Sequence, residues 1–195
     1  MRNKILIITI GVLLCIADAF AQSRAVGVRV GVSGLEASYE HSFSKTQFLE
    51  GNLGLDFGNK VNGAPGIKAE GIYNFIWARP AWTNKGSWAI YSGPGASIGY
   101  VNDEVHFKEL KEVVSFEANG FMLGISVQVG LEYTFEFPMQ LSLDLRPVIG
   151  MHITGKHPYT DPANPEILRE SKARIGFYDN GLLGFAPSIS VRYRF

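Results

Sequence analysis

Apolar and polar residues alternate with a period of two along most of this chain. Eight stretches carry the pattern: "AVGVRVGV" (25–32), "LEASYEHSF" (35–43), "FLEGNLGLDF" (48–57), "GIKAEGIYNFIWA" (66–78), "SWAIYSGPGASIGYV" (87–101), "MLGISVQVGLEYTF" (122–135), "QLSLDLRPVIGMHI" (140–153) and "GLLGFAPSISVRYRF" (181–195). Successive side chains of a strand point to opposite faces, so this period predicts eight β-strands. Most exceed the usual strand of about 5–6 residues. They match the roughly 9–11 tilted residues that cross a bilayer.

The connections alternate in length from the second strand onward. "SKTQ", "RPAWTNKG" and "EFPM" are short, whereas "GNKVNGAP", 102–121 and 154–180 are longer. The first connection, around "SG", breaks the rule. Short turns at one end and long loops at the other are the plan of an outer-membrane barrel, with the short turns periplasmic. A compact soluble domain seldom carries a connection as long as 154–180.

The faces separate cleanly. Leu123, Ile125, Val127, Val129, Leu131, Tyr133 and Phe135 lie on one side of their strand, and Gly124, Ser126, Gln128, Gly130, Glu132 and Thr134 on the other. Leu141, Leu143 and Leu145 alternate with Ser142, Asp144 and Arg146 in the same way. A soluble sandwich also alternates, with its apolar face inward. Two features favour a barrel in lipid. The polar face mixes glycine, serine and isolated charges rather than many lysines. The apolar face carries aromatics near strand ends: Tyr39, Phe43, Phe57, Tyr73, Phe75, Trp77, Trp88, Tyr100, Tyr133, Phe135, Tyr193 and Phe195. Such rings form girdles at membrane interfaces. Pro94, Pro147 and Pro187 lie inside predicted strands, where each removes a ladder donor.

The N-terminus adds the compartment. "MRNK" is cationic, "ILIITIGVLLCIA" is apolar, and Ala19-Phe20-Ala21 is a small-x-small site. These three parts predict a secretory signal peptide over 1–21, cleaved before Gln22, and a mature domain over 22–195. The apolar run is too short for a spanning helix of about 20 residues. Cys15 leaves with the leader, and Leu13 and Leu14 before it do not fit a lipoprotein signal. The chain holds 18 basic and 18 acidic residues. Removing Arg2, Lys4 and Asp18 leaves the mature domain at a net charge of −1. Such a balance gives no electrostatic footprint for nucleic acid.

With these patterns in hand, residues 25–195 resemble small eight-stranded outer-membrane barrels of the OmpA/OmpX type, within the porin-like outer-membrane β-barrel domain family. "GVRVGVSGLEASYEHSF", "SGPGASIGYV", "VGLEYTF" and "SVRYRF" carry the resemblance. It implies lipid and lipopolysaccharide as surroundings. The ending "VRYRF" resembles the signal read by the barrel assembly machinery, which assigns Val191, Tyr193 and Phe195 to that role.

Strand parity places seven acids inside the barrel: Glu36, Glu40, Glu50, Asp56, Glu70, Glu132 and Asp144. It also places five bases there: Arg29, Lys68, Arg146, Arg192 and Arg194. Unpaired buried charges cost several kcal/mol each, so an interlocked network with some water is expected; a charged ion path is the alternative. A wide pore is not, because porin channels need about 16 strands.

No motif points to catalysis. His41-Ser42 is the one adjacent histidine–serine pair, but neighbours on a strand face opposite ways. Asp103, His106 and Ser115 share the third outer loop, 102–121, without a surrounding motif. His152, His157 and Asp161 have metal-ligand chemistry, yet their position predicts solvated rim residues. The loop "NDEVHFKELKEVVSFEANGF" is acidic and partly alternating, a pattern that would carry strands five and six beyond the membrane as a hairpin. The sequence therefore predicts an all-β, eight-stranded antiparallel transmembrane up-and-down β-barrel. It is expected to be monomeric, non-enzymatic and without a cofactor, with a polar and largely plugged interior. A lipid A-modifying enzyme and a soluble exported sandwich are the competing readings.

Overall fold

A computed structural model describes residues 23–32, 34–57, 65–109, 112–155, 158–161, 164–170, 174–179 and 187–195. The predicted leader lies outside them. Twelve strands are present: β1 (Arg24–Gly31), β2 (Gly34–Ser44), β3 (Gln47–Asp56), β4 (Gly66–Ala78), β5 (Ser87–Glu109), β6 (Glu112–Thr134), β7 (Met139–Leu145), β8 (Val148–Thr154), β9 (Pro158–Asp161), β10 (Asn164–Glu170), β11 (Arg174–Asp179) and β12 (Pro187–Arg194).

Strands β1 to β6 pair consecutively and antiparallel. β7 and β8 share the far edge of β6, and β12 pairs with both β7 and β1, which closes the sheet. The wall therefore has eight positions, with β7 and β8 forming the seventh and β11 and β12 contributing to the eighth. β9 and β10 form a separate two-stranded hairpin. The sandwich alternative fails here, because one sheet closes on itself.

The stagger of the barrel follows from its ladder. From Phe121 on β6 the pairs run through Tyr100, Ile67, Leu55, Leu35, Val30, Ile189 and Leu143. They return to β6 at Leu131, ten residues further along. Eight strands with that stagger tilt by roughly 40° to the axis, which leaves an interior that side chains can fill. Every residue on this circuit is apolar, and all but the half-buried Leu131 are exposed on the outer surface.

The usual distribution of a folded protein is inverted. Among the described residues 24 polar or charged side chains are buried against nine hydrophobic ones, and 35 large hydrophobic side chains are exposed. Polar residues line the inside, and valine, leucine, isoleucine and aromatics cover the outside.

The fifth and sixth strands run past 101 and 122, as the alternation within 102–121 predicts, and form a paired ribbon out to Glu109 and Glu112. Two sequence expectations need correction. The seventh strand breaks at Arg146-Pro147, where the proline cannot donate, but Asp144, Arg146 and Val148 keep the same inward face. Of the eighth predicted strand, 187–194 form β12, and 181–186 lie outside the described residues. Upstream of it, β11 joins the wall through β8, inside the stretch expected to be loop. Pro94 faces outward and keeps its match to Val127 on β6, but the β4–β5 ladder is interrupted there, between Ile72↔Gly95 and Phe75↔Ser92, because the proline cannot donate; a bulge lies further along β4 between Ile76 and Ala78.

Candidate functional site: the barrel lumen

Parity along each strand delivers the interior charges. Glu36 and Glu40 alternate inward on β2, Glu50 and Asp56 on β3, Lys68 and Glu70 on β4, and Asp144 on β7. Arg29, Glu132, Arg146 and Arg192 are buried as well. Eleven of the twelve predicted lumen residues are thus enclosed. Arg194 is the exception: it is half-buried at the short-turn rim, where its Nη2 donates to Ser23 Oγ at 2.8 Å. It is the last strand residue, where the wall no longer encloses a side chain.

Glu50 is the hub of the middle layer. It is fully buried and ion-paired with Arg29 on one oxygen and with Arg192 Nη2 at 2.9 Å on the other. Asn52 and Gln128 donate to the same carboxylate at 2.8 Å and 3.3 Å. Arg29 also reaches Asp144, to which Ser188 and Tyr91 donate. Arg192 donates to Ser38 and Ser142. Asn74 on β4 donates to Gln128 at 3.4 Å, so all eight wall positions contribute to this one network.

A second layer lies towards the long-loop end. Arg146 bridges Glu36 at 2.6 Å and Glu70 at 2.7 Å. Lys68 Nζ donates to Asp56 Oδ1 at 3.1 Å, and Tyr178 Oη donates to Asp56 Oδ2 at 3.1 Å. Above it Val101, Met122, Val148 and Tyr178 pack as a small apolar cluster. At the short-turn end Gln140 Nε2 donates to both Glu40 and Glu132, and Thr134 donates to Glu132. Charge-assisted hydrogen bonds of this kind are stronger than neutral ones. Together the layers fill the lumen with side chains held from opposite walls.

Parity did not identify every interior residue. Phe48, Ile72, Tyr91 and Tyr178 also point inward and are buried. Apolar residues on the inner face erase the polar–apolar contrast there, and β11 was read as loop. A usable signal existed in "RIGFYD", whose Ile175 and Phe177 alternate with Gly176 and Tyr178.

His152 departs from its expected solvated place. It is buried inside the barrel, with Nε2 3.3 Å from the Val101 carbonyl oxygen. β8 keeps the inward parity of β7, which carries this ring into the lumen. His157 lies outside the described residues. Among the described residues no group of three or more histidine, cysteine, aspartate or glutamate side chains is placed to hold a metal. His41 faces outward, its ring stacked near Tyr39 and edge-on to Phe43, while Ser42 has the inward parity of Glu40. The His41–Ser42 pair therefore does not converge into a nucleophile with an oriented base. In the backbone register of the β5–β6 ribbon His106 is matched with Ser115, and Asp103 with Ala118.

Val191, Tyr193 and Phe195 are exposed on the outer face of the closing strand. Aromatics gather at the short-turn end in two groups: Tyr39, Phe43, Tyr73 and Phe75, and Trp82, Trp88, Tyr133, Phe135 and Phe137. No family model, curated protein or solved structure matches the chain.

Proposed function

We propose that this chain is an exported, non-enzymatic outer-membrane protein, porin-like in architecture, whose barrel spans the bilayer with a sealed lumen. Its role is structural or surface-interacting, with at most minor permeability. The observation that carries the reading is the belt of outward apolar side chains around the whole circumference, bordered by aromatics at the short-turn end. Exposed apolar patches on soluble monomers rarely exceed a few hundred Å², and here the belt is continuous around the wall. Hydrocarbon is the solvent that suits it. Outer-membrane lipid and lipopolysaccharide are the surroundings this implies, and the outward Val191, Tyr193 and Phe195 on β12 suit reading by the barrel assembly machinery.

The filled lumen supports the second half of the proposal. Three ion-paired or hydrogen-bonded layers cross the interior, and opening a path through them would separate buried charges. Planar bilayers containing the purified barrel test this directly. With insertion verified by heat-modifiable gel migration, no current steps of general-porin size are expected. Such steps would refute the sealed lumen.

A further inference from the structure

Among the described residues every interior arginine and lysine has a carboxylate partner, but the three exposed cations of the short turns have none. Lys45, Arg79 and Lys85 are exposed, and none of them forms an ion pair. They occupy two turns, 45–46 and 79–86, that lie on either side of the β3–β4 pair. Arg79 Nη2 donates to the Lys45 carbonyl oxygen at 3.0 Å, which ties the turns together. The Lys85 carbonyl accepts from Tyr133 Oη at 2.8 Å and from Thr83 Oγ1 at 2.7 Å. Gly86 follows with a φ of 68°, and a Cβ there would lie 2.6 Å from the Thr134 carbonyl oxygen. The turn is thus fixed in place and directs Lys85 from a defined backbone. The cations are held on an ordered rim.

All three tryptophans of the chain stand beside these cations. Trp77 is 72% exposed and donates to Ser92 Oγ at 2.7 Å, and Trp82 is 60% exposed and packs near Trp88. Indole rings favour the level of lipid headgroups. Cations at that level, without carboxylates, are electrostatically suited to phosphate.

Resting on the proposed membrane-spanning barrel, we infer that the rim formed by Lys45, Arg79 and Lys85 binds anionic phospholipid headgroups on the short-turn side. Two things select this occupant. The patch carries positive charge without internal compensation, and it is continuous with the aromatic border of the apolar belt, which places it at headgroup depth. The other exposed charge in the short turns, Glu136, lies in the third turn and pairs with none of the three.

Tryptophan quenching in vesicles tests this, because every tryptophan reports from this rim. The full barrel is reconstituted in phosphatidylcholine containing either brominated phosphatidylglycerol or brominated phosphatidylcholine. At low salt the anionic lipid should quench with a relative association constant roughly fivefold higher, the equivalent of one cation at an anionic surface. The preference should vanish in the combined variant Lys45→Gln, Arg79→Gln, Lys85→Gln. It should also vanish for the unaltered protein in about 1 M salt, where the screening length falls to ~3 Å. Equal quenching by both lipids at low salt would overturn the inference while leaving the spanning barrel intact. A preference that survives the triple substitution would overturn the assignment to these residues. Quenching by neither lipid would overturn the membrane reading itself.

Discussion

At the residue scale the fold depends on how buried charge is compensated. Glu50 meets two guanidinium groups and two amide donors, so its carboxylate stabilises Arg29 and Arg192 together. Removing one partner of a buried ion pair leaves an uncompensated charge and costs about 3–5 kcal/mol. Glu50→Gln should therefore lower the stability of the barrel by about that amount, measured as the shift of its urea unfolding transition in phospholipid vesicles. Ser190→Ala is the matched control. Ser190 Oγ is equally buried but has no hydrogen-bond partner among protein groups. That substitution should change stability by less than about 1 kcal/mol. Equal effects of the two variants would mean that the network contributes little. The sequence revealed which charges lie inside, because parity alone decides that. Their pairing was not legible: Glu50 and Arg192 are 142 positions apart and meet only through the closure of β12 on β1.

At the scale of the strand, each residue and its neighbour lie on opposite faces of the barrel wall. Ile125 on β6 faces outward and Ser126 inward. An arginine on the lipid face of a barrel near the bilayer midplane costs about 2–4 kcal/mol. Ile125→Arg should destabilise the vesicle-embedded barrel by that amount, again read from urea unfolding. If water bathed this face, the same change would be near neutral. Strong alternation made six of the eight wall strands readable, β1 to β6, and the weaker alternation within 102–121 pointed to the outward extension of β5 and β6. The seventh was readable in its faces but not in its break at Pro147. The eighth was readable only near the C-terminus, because β11 is six residues long and follows a polar, turn-rich segment. Short strands of this kind derive their pairing from the neighbour already in place, here β8. Local pattern does not encode that help. Tyr91 illustrates the other limit: an inward aromatic in a strand with Ile90 beside it leaves no contrast between faces.

At the scale of the whole molecule, a single sheet of eight positions closes with a stagger of ten, and its two surfaces are exchanged relative to a soluble protein. Closure removes the sheet edges in the lower wall. The stagger sets a bore that the layers around Glu50, Arg146 and Gln140 can span. Short turns carry the aromatics and the three unpaired cations, while the β5–β6 ribbon and the β9–β10 hairpin rise at the other end. The proposed membrane-spanning role rests on one premise, that hydrocarbon meets the outer face. Residues 22–195 contain no cysteine, the one cysteine of the chain being Cys15, so single spin labels can be placed at will in that stretch. The most direct test is the collision rate of a label at position 125 in vesicles with oxygen and with a water-soluble nickel complex. A lipid-spanning wall requires high oxygen access and almost no nickel access at that position. High nickel access there would mean that water covers the apolar belt, and the membrane-spanning barrel would be wrong.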